Sequence, residues 1–111
     1  MGKNDKFLIN DLSILADRLP EIRPAMVLLN IYVQKADAQN RVNVPKKTLA
    51  KVLNVTPHTI SNWLRKLSNA GAIKYKYSGS CRLNPNFYFY GTQEDFDKAE
   101  KEWKEFKPDM K

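Results

Sequence analysis

The sequence is poor in the residue types that most metal-binding and catalytic sites require. Its 111 residues include one cysteine, Cys81, and one histidine, His58. Zinc sites are built mostly from cysteine and histidine, so neither a metal nor a cofactor is expected. A lone cysteine forms no internal disulfide, which fits a reducing cytoplasm. We therefore expect a protein that is not an enzyme.

Two further shortages exclude other classes of protein. Only four glycines occur, and none lies in a Gly-rich loop before a Lys-Ser/Thr pair, so a phosphate-binding P-loop is absent. No apolar run approaches the roughly 20 residues of a membrane span, and the opening MGKNDK leads into no signal-peptide core. Because 42% of the residues are hydrophobic, we expect a soluble cytoplasmic protein with one packed core and no membrane partner.

The most informative shortage is that of acidic residues in the middle of the chain. Residues 38–93 contain nine Lys and Arg but no Asp or Glu. Residues 1–37 are neutral, and residues 94–111 carry more acidic than basic side chains. The central segment therefore accounts for the net charge of +7. Such a concentration of positive charge indicates a polyanionic partner, and nucleic acid is the first candidate.

The order of periodic segments predicts an α+β, mostly helical fold. Residues 1–91 are expected to form a winged helix-turn-helix domain, with the helix-turn-helix at about 45–70 and the wing at about 73–84. The wing is expected to be a β-hairpin because the apolar period changes from helical to two in this segment. A C-terminal amphipathic helix is expected within 92–111.

The segment before the motif is predicted to contain two helices and a strand. The first helix is expected from Asn10 to Leu19, with Asn10 as its cap and Pro20 as its end. Pro24 is then expected to open a second, largely buried helix through about Lys35. The alternation over 41–44 predicts a short strand.

The second helix of the motif is the predicted DNA-reading element. Thr56 and Pro57 form a typical helix start, and Ile60, Leu64 and Leu67 are expected to face the core. Asn can read adenine and Arg can read guanine in the major groove. The opposite face is therefore predicted to contact DNA, unless it is merely solvated, through Thr56, His58, Thr59, Asn62, Arg65 and Lys66.

Two neighbouring surfaces are predicted to contribute further DNA contacts. On the first motif helix, phosphate contacts are expected from Lys46, Lys47 and Lys51. On the wing, DNA contacts are expected from Lys74, Lys76, Ser78, Gly79, Ser80 and Arg82. The alternative interpretation of the helix lysines is a solvated charged face. The alternative for the wing is a solvated β edge, on which lysines guard against aggregation.

The aromatic residues leave two interpretations open. The apolar side of the C-terminal helix carries Phe96, Trp103 and Phe106, which form either a dimer contact or a packing surface against their own domain. A homodimer is expected because helix-turn-helix proteins commonly reach two half-sites one helical turn apart. The other aromatic residues, mostly between 75 and 90, are expected in the core, and the alternative is base stacking on single strands.

Five segments between Phe7 and Gly91 carry a family resemblance. They are FLINDLSIL from Phe7, VLL from Val27, LAKVLNVT from Leu49, TISNWLRKL from Thr59 and RLNPNFYFYG from Arg82. Together they resemble the RepL-type plasmid replication proteins, small winged-helix proteins of bacterial mobile elements. The resemblance implies binding of plasmid origin DNA, together with other proteins at the origin. The architecture is also similar to that of partition and conjugative-transfer accessory proteins.

These observations favour sequence-specific binding of duplex DNA at a replication, partition or transfer origin, without catalysis. A transcriptional repressor with the same DNA surface is the first alternative, and a single-stranded nucleic-acid binder is the second. A rolling-circle nickase is not expected, because one histidine cannot supply the cluster that holds the metal in such enzymes.

Overall fold

The computed structural model describes residues 5–76 and 79–108, which form helices and two small antiparallel sheets. In chain order the elements are β1 (Phe7–Asn10), a 3-10 helix (Leu12–Arg18), α1 (Leu19–Ile22), a second 3-10 helix (Arg23–Ala25), α2 (Met26–Lys35), β2 (Arg41–Asn43), α3 (Lys46–Leu53), α4 (Pro57–Asn69), β3 (Ile73–Tyr75), β4 (Ser80–Leu83), β5 (Tyr88–Gly91) and α5 (Gln93–Glu105). The α+β winged helix-turn-helix fold expected from the sequence is confirmed. In the described part of the chain, no helix is both long and apolar enough to cross a bilayer.

The helix-turn-helix is formed by α3 and α4, and its turn follows from local chemistry. Asn54 ends α3 in the left-handed conformation, with φ of 56°, and its N–H bonds back to the last turn of the helix. Asn is one of the few residues other than Gly that enter this region readily. Thr56 then caps α4 by accepting a hydrogen bond from the Thr59 N–H at 3.1 Å, and Pro57 occupies the first turn. The predicted cap and turn are confirmed.

The core lies between the helices and one face of the three-stranded sheet. Helix α2 contributes Leu28, Leu29 and Tyr32, and α4 contributes Ile60, Leu64 and Leu67. Helix α2 is less enclosed than predicted, because Val27 is 46% exposed. The burial of three residues one turn apart on α4 fixes the direction of its opposite, polar face.

The wing is a three-stranded antiparallel sheet in the order β2-β4-β3. Val42 and Cys81 are register partners and are buried on its inner face. Arg41 lies opposite Arg82, which lies opposite Lys74 on the other side of β4. Because side chains alternate between faces along a strand, these three cations form one row across the outer face. We call Arg41, Lys74 and Arg82 the cationic row.

The predicted first helix, from Asn10 to Leu19, is wrong at both ends. Residues 7–10 form β1, which pairs with β5, and Asp11 rather than Asn10 caps the following 3-10 helix by accepting from the Ser13 N–H at 2.9 Å. Pro20 does not end a helix but lies in the first turn of α1. The reason is tertiary: Phe7 packs against Phe89, with ring centroids 5.5 Å apart, and this contact requires an extended segment.

The chain after the wing contains a strand that the sequence did not predict. Residues 88–91 form β5, in which Phe89 is buried and Tyr90 is 54% exposed. The C-terminal helix, in contrast, is confirmed as α5, and Thr92 caps it by accepting from the Asp95 N–H at 3.2 Å. Phe96 of α5 meets Phe89 edge-on at 5.2 Å, so the start of the helix is attached to the β1-β5 sheet.

Candidate nucleic-acid interface

The outward face of α4 presents a compact group of polar side chains. His58, Arg65 and Lys66 are exposed, and Thr59 and Asn62 are half-buried. Arg65 donates a hydrogen bond from Nη2 to Oδ1 of Asn62 at 2.6 Å. The two residues predicted to read bases are therefore held together one turn apart, with the remaining guanidinium N–H groups free to meet base edges.

The N-terminus of α4 is organised by its cap. The Thr56 hydroxyl oxygen accepts from the Thr59 N–H and lies 3.0 Å from the Thr59 hydroxyl. Both hydroxyl groups thus take part in the cap and are exposed or half-buried at the end of the helix. The predicted contact of Thr56 and Thr59 with DNA remains a prediction, whereas their structural role is plain.

The lysines of α3 border the same face. Lys47 and Lys51 are exposed and lie one turn apart, and both line a shallow cavity of about 520 Å³ between α3 and the start of α4. Lys46 is half-buried. Among the residues that the structure describes, neither Lys47 nor Lys51 forms an ion pair, and the same holds for Arg65. These cations are solvated and can exchange water for phosphate oxygens at little cost.

The wing cations lie in a different environment, because α5 covers them. Glu102 accepts from Arg41 Nε at 2.9 Å and from Arg41 Nη2 at 2.6 Å, which is a bidentate pair. The same carboxylate accepts from Arg82 Nε at 3.2 Å. The hydrogen bond from Arg41, reinforced by the charges of Arg41 and Arg82 and opposed by partial burial, holds the pKa of Glu102 below its ordinary value. Glu102 therefore carries a full negative charge at neutral pH.

Trp103 of α5 and Phe106, which directly follows the helix, also contact the wing cations. Lys74 donates from Nζ to the Trp103 carbonyl oxygen at 2.7 Å and lies 4.6 Å from the indole centroid. Lys76 Nζ and the Arg82 guanidinium lie 5.3 and 5.0 Å from the Phe106 ring centroid. A cation over an aromatic face is attracted by the ring quadrupole. Three of the predicted wing contacts are thus held within the chain, and their contact with DNA stays a prediction.

The predicted dimer residues all pack on their own domain. Phe96 contacts both Phe7 and Phe89, and Trp103 and Phe106 lie on the wing. The structure therefore shows the second of the two interpretations of this helix. A contact of the same side chains with a second copy of the chain stays a prediction.

The remaining predicted wing residues lie at the end of the hairpin. Ser78 is outside the described residues. Gly79 has φ of 103°, a conformation that favours glycine. A side chain there would also meet the Asn43 Oδ1 atom at 3.2 Å. Ser80 does not belong to the turn as predicted but begins β4, opposite Asn43.

Two residues of this surface were missed by sequence reasoning. The sequence contains a weak signal for Arg41, because Arg41 precedes the buried Val42 in an alternating segment and so belongs to the opposite face of the strand. Glu102 shows no pattern at all, because nothing in an amphipathic helix indicates which carboxylate meets a distant strand. Within residues 5–76 and 79–108, His, Cys, Asp and Glu side chains form no group of three that could hold a metal ion.

Comparison with known proteins places the helix-turn-helix in a family. The family model described as the Crp-like helix-turn-helix domain matches residues 23–84, more than half of the chain, from the segment before α2 to the end of the wing. No curated protein and no solved structure matches the chain. The matched segment contains the exposed face of α4, the lysines of α3 and the wing sheet. The chain therefore belongs to the Crp-like helix-turn-helix domain family and is a DNA-binding protein with a winged helix-turn-helix.

Proposed function

We propose that the chain binds duplex DNA sequence-specifically and without catalysis, with α4 in the major groove. The observation that carries this proposal is the exposed face of α4, where Asn62 and Arg65 form one hydrogen-bonded pair. Arg with guanine and Asn with adenine are the side-chain pairings that major-groove geometry favours. Lys47 and Lys51 flank this face as exposed cations, which suits contacts to the phosphate backbone.

The test is footprinting on the DNA that flanks the gene of this protein, with random-sequence duplex as competitor. The expected result is a protected site that survives an excess of competitor and whose protected bases include major-groove edges. A protein that binds every duplex equally would contradict sequence-specific recognition. The same experiment yields the spacing of any repeated half-sites.

A single-stranded target is the alternative that the aromatic residues raise. Of these, Phe87 and Phe89 are buried and so cannot stack on bases, whereas Tyr90 is exposed. A single exposed ring among the described members of this group is a poor stacking platform, since nonspecific single-strand binders use successive aromatics along a groove. A competition mobility shift decides between the two: a preference for single strands over duplex of the same sequence would overturn the proposed duplex target.

For the biological process we propose action at a replication, partition or transfer origin of a plasmid or another mobile element. Support for this comes from the five segments between Phe7 and Gly91 that resemble RepL-type proteins. A transcription regulator is the second candidate, and the match to the Crp-like helix-turn-helix domain favours it. Deleting the gene distinguishes them: loss of plasmid maintenance or transfer supports the first, and altered output from a flanking promoter alone supports the second.

We also propose that the protein binds DNA as a homodimer, because two symmetric half-sites are the usual target of this motif. Light scattering of the free protein and of its complex with the footprinted site measures the stoichiometry. Two chains per site, on repeats roughly 10 base pairs apart, is the expected result. One chain on a single unrepeated site would contradict it.

A further inference from the structure

The outer face of the wing combines a strong positive charge with a cover supplied by the chain itself. The cationic row gathers Arg41, Lys74 and Arg82 from three strands onto one face. All of the row is contacted by the end of α5 and the residue that follows it, through the Glu102 carboxylate, the Trp103 carbonyl and ring, and the Phe106 ring. The row is therefore a cationic surface that is partly covered by the chain itself.

Helix α5 is attached unequally along its length. Its first half is fixed by apolar contacts, since Phe96 packs against Phe89 and Ala99 is buried. Its second half is held by charged and polar contacts nearer the surface, where the side chains of Arg41, Glu102 and Arg82 remain 48%, 28% and 20% exposed. Exposed ion pairs contribute little and are screened by salt. The second half can therefore leave the wing while the first half stays in place.

The contacts that α5 makes are those that a nucleic-acid backbone also makes. Glu102 engages Arg41 through two parallel N–H···O bonds, the geometry in which guanidinium groups also bind phosphate. Lys74 lies against the last carbonyl groups of α5, at the negative end of the helix dipole. A duplex that presents several phosphates can replace one carboxylate and one helix end.

We propose that the second half of α5 is an intramolecular mask of the cationic row, and that the phosphate backbone of duplex DNA displaces Glu102 from Arg41 and Arg82. This inference rests on the proposed binding of duplex DNA. In the free protein the mask offsets one of the three positive charges of the row and engages its donors, so the α3-α4 face is the more open cationic surface. On DNA the row adds phosphate contacts at the cost of the Glu102 contacts, so the mask lowers affinity for all sequences.

The decisive variant is Glu102→Gln, and its matched control is Glu94→Gln. Both changes remove one negative charge from α5, but the ion pair that Glu94 forms among the described residues is with Lys98 on its own helix. Binding to a random-sequence duplex is followed by fluorescence anisotropy over a series of salt concentrations. Glu102→Gln is expected to bind about three- to tenfold more tightly than Glu94→Gln, with a salt slope steeper by about one to two, because freed cations release more counterions. Equal affinities of the two variants would overturn the mask.

A third variant identifies where the gain arises. In the triple variant Glu102→Gln, Arg41→Gln and Arg82→Gln, the cationic row has lost the two side chains that Glu102 holds. The gain over Glu94→Gln is expected to disappear in this protein. A triple variant that keeps the gain would show that the gain does not come from the two arginines that Glu102 holds, and would overturn the mask.

An independent measurement follows the position of α5 without changing any residue of that helix. Trp63→Phe leaves Trp103 as the one tryptophan of the chain. Saturation with duplex DNA is expected to shift its emission to the red and to increase its quenching by acrylamide, as the indole leaves the wing. Unchanged emission and quenching on a saturated complex would overturn the mask while leaving the proposed function intact. Absence of duplex binding by the wild-type chain would instead overturn the proposed function itself.

Discussion

Two cationic surfaces of this protein lie within one acid-free stretch of sequence, yet they differ in charge environment. On α3 and α4, Lys47, Lys51 and Arg65 are open to solvent or bonded to a neutral amide. On the wing, Arg41 and Arg82 share a carboxylate contributed by a helix that begins ten residues after β4 ends. Basic and acidic residues that are far apart in the sequence can therefore still meet in the folded protein. The first surface is open and the second is masked.

The largest expected effect tests whether the inner face of the wing sheet, in contrast to the open α3-α4 surface, is closed to solvent. Burial raises the pKa of the Cys81 thiol from 9.0 to about 12. The unfolded chain therefore loses this proton first as pH rises, so the contribution of Cys81 to stability is complete below about pH 9 and is lost toward pH 12, up to about 4 kcal/mol. Burial also raises the pKa of Tyr32, which adds to the fall in stability in alkali. Urea denaturation across this range measures the fall.

Cys81→Ala is the control for that experiment, because it removes the thiol and keeps a small apolar side chain. The free energy of unfolding of this variant is expected to fall less steeply above pH 9 than that of the wild type. Equal slopes, or rapid thiol labelling of the native protein at pH 8, would show that the inner face of the wing is open.

The next effect concerns the open surface. Arg65→Ala is expected to cost about 1–3 kcal/mol on the cognate site and to relax the base preference, because it removes a base-reading fork. Since Arg65 donates to Asn62, the double change with Asn62→Ala is expected to cost less than the sum of the single changes. Lys98→Ala, with the same loss of charge on α5, is the control. Equal losses of affinity for cognate and random duplex would show that α4 does not read the base sequence.

A smaller effect compares one lysine from each surface. Lys51→Ala is expected to weaken binding to all duplexes alike and to reduce the salt slope by about one, since an open phosphate contact is lost. Lys74→Ala is expected to reduce the slope by less, because Lys74 must first leave the Trp103 carbonyl and ring. Anisotropy titrations at four salt concentrations provide both slopes. Equal reductions would remove the distinction between the open and the masked surface.

The smallest effect is on stability. Arg41→Gln breaks the bidentate pair with Glu102 and is expected to cost a few tenths to about 1 kcal/mol, because the pair is partly exposed. The pKa of Glu102 is lowered in the folded state, so this contribution is present above the ordinary pKa of a carboxyl group and is lost as pH falls through the folded pKa. Denaturation of both proteins at neutral and acid pH measures it. A difference that persists unchanged in acid would assign the cost to another contact of Arg41.

Much of the motif follows from the sequence because its determinants are local. Asn54 can enter the left-handed region, Thr56 can cap a helix, and Leu64 and Leu67 repeat at helical spacing. The order of α3, the turn and α4 can therefore be predicted from the sequence. The polar face of α4 follows from the same spacing, since burial of one side of a helix exposes the other.

Other parts of the structure were not predictable because their determinants are distant in sequence. Residues 7–10 are compatible with a helix start, and only pairing with residues 88–91 makes them a strand. The aromatic run after Asn86 looks like core but carries no strand alternation that could be read alone. For such segments the partner, rather than the intrinsic propensity, determines the conformation.

Composition and periodicity alone indicate the winged helix-turn-helix, the polar face of its second helix and the concentration of positive charge in residues 38–93. Which of those charges remain available depends on tertiary contacts. Periodicity fixes which side of a helix is buried, but the packing angle of α5, set by Phe96 on the β1-β5 sheet, decides that Glu102 reaches Arg41 and Arg82. Such an encounter depends on contacts between residues about 20 and about 60 positions apart in the chain, and no local pattern records it.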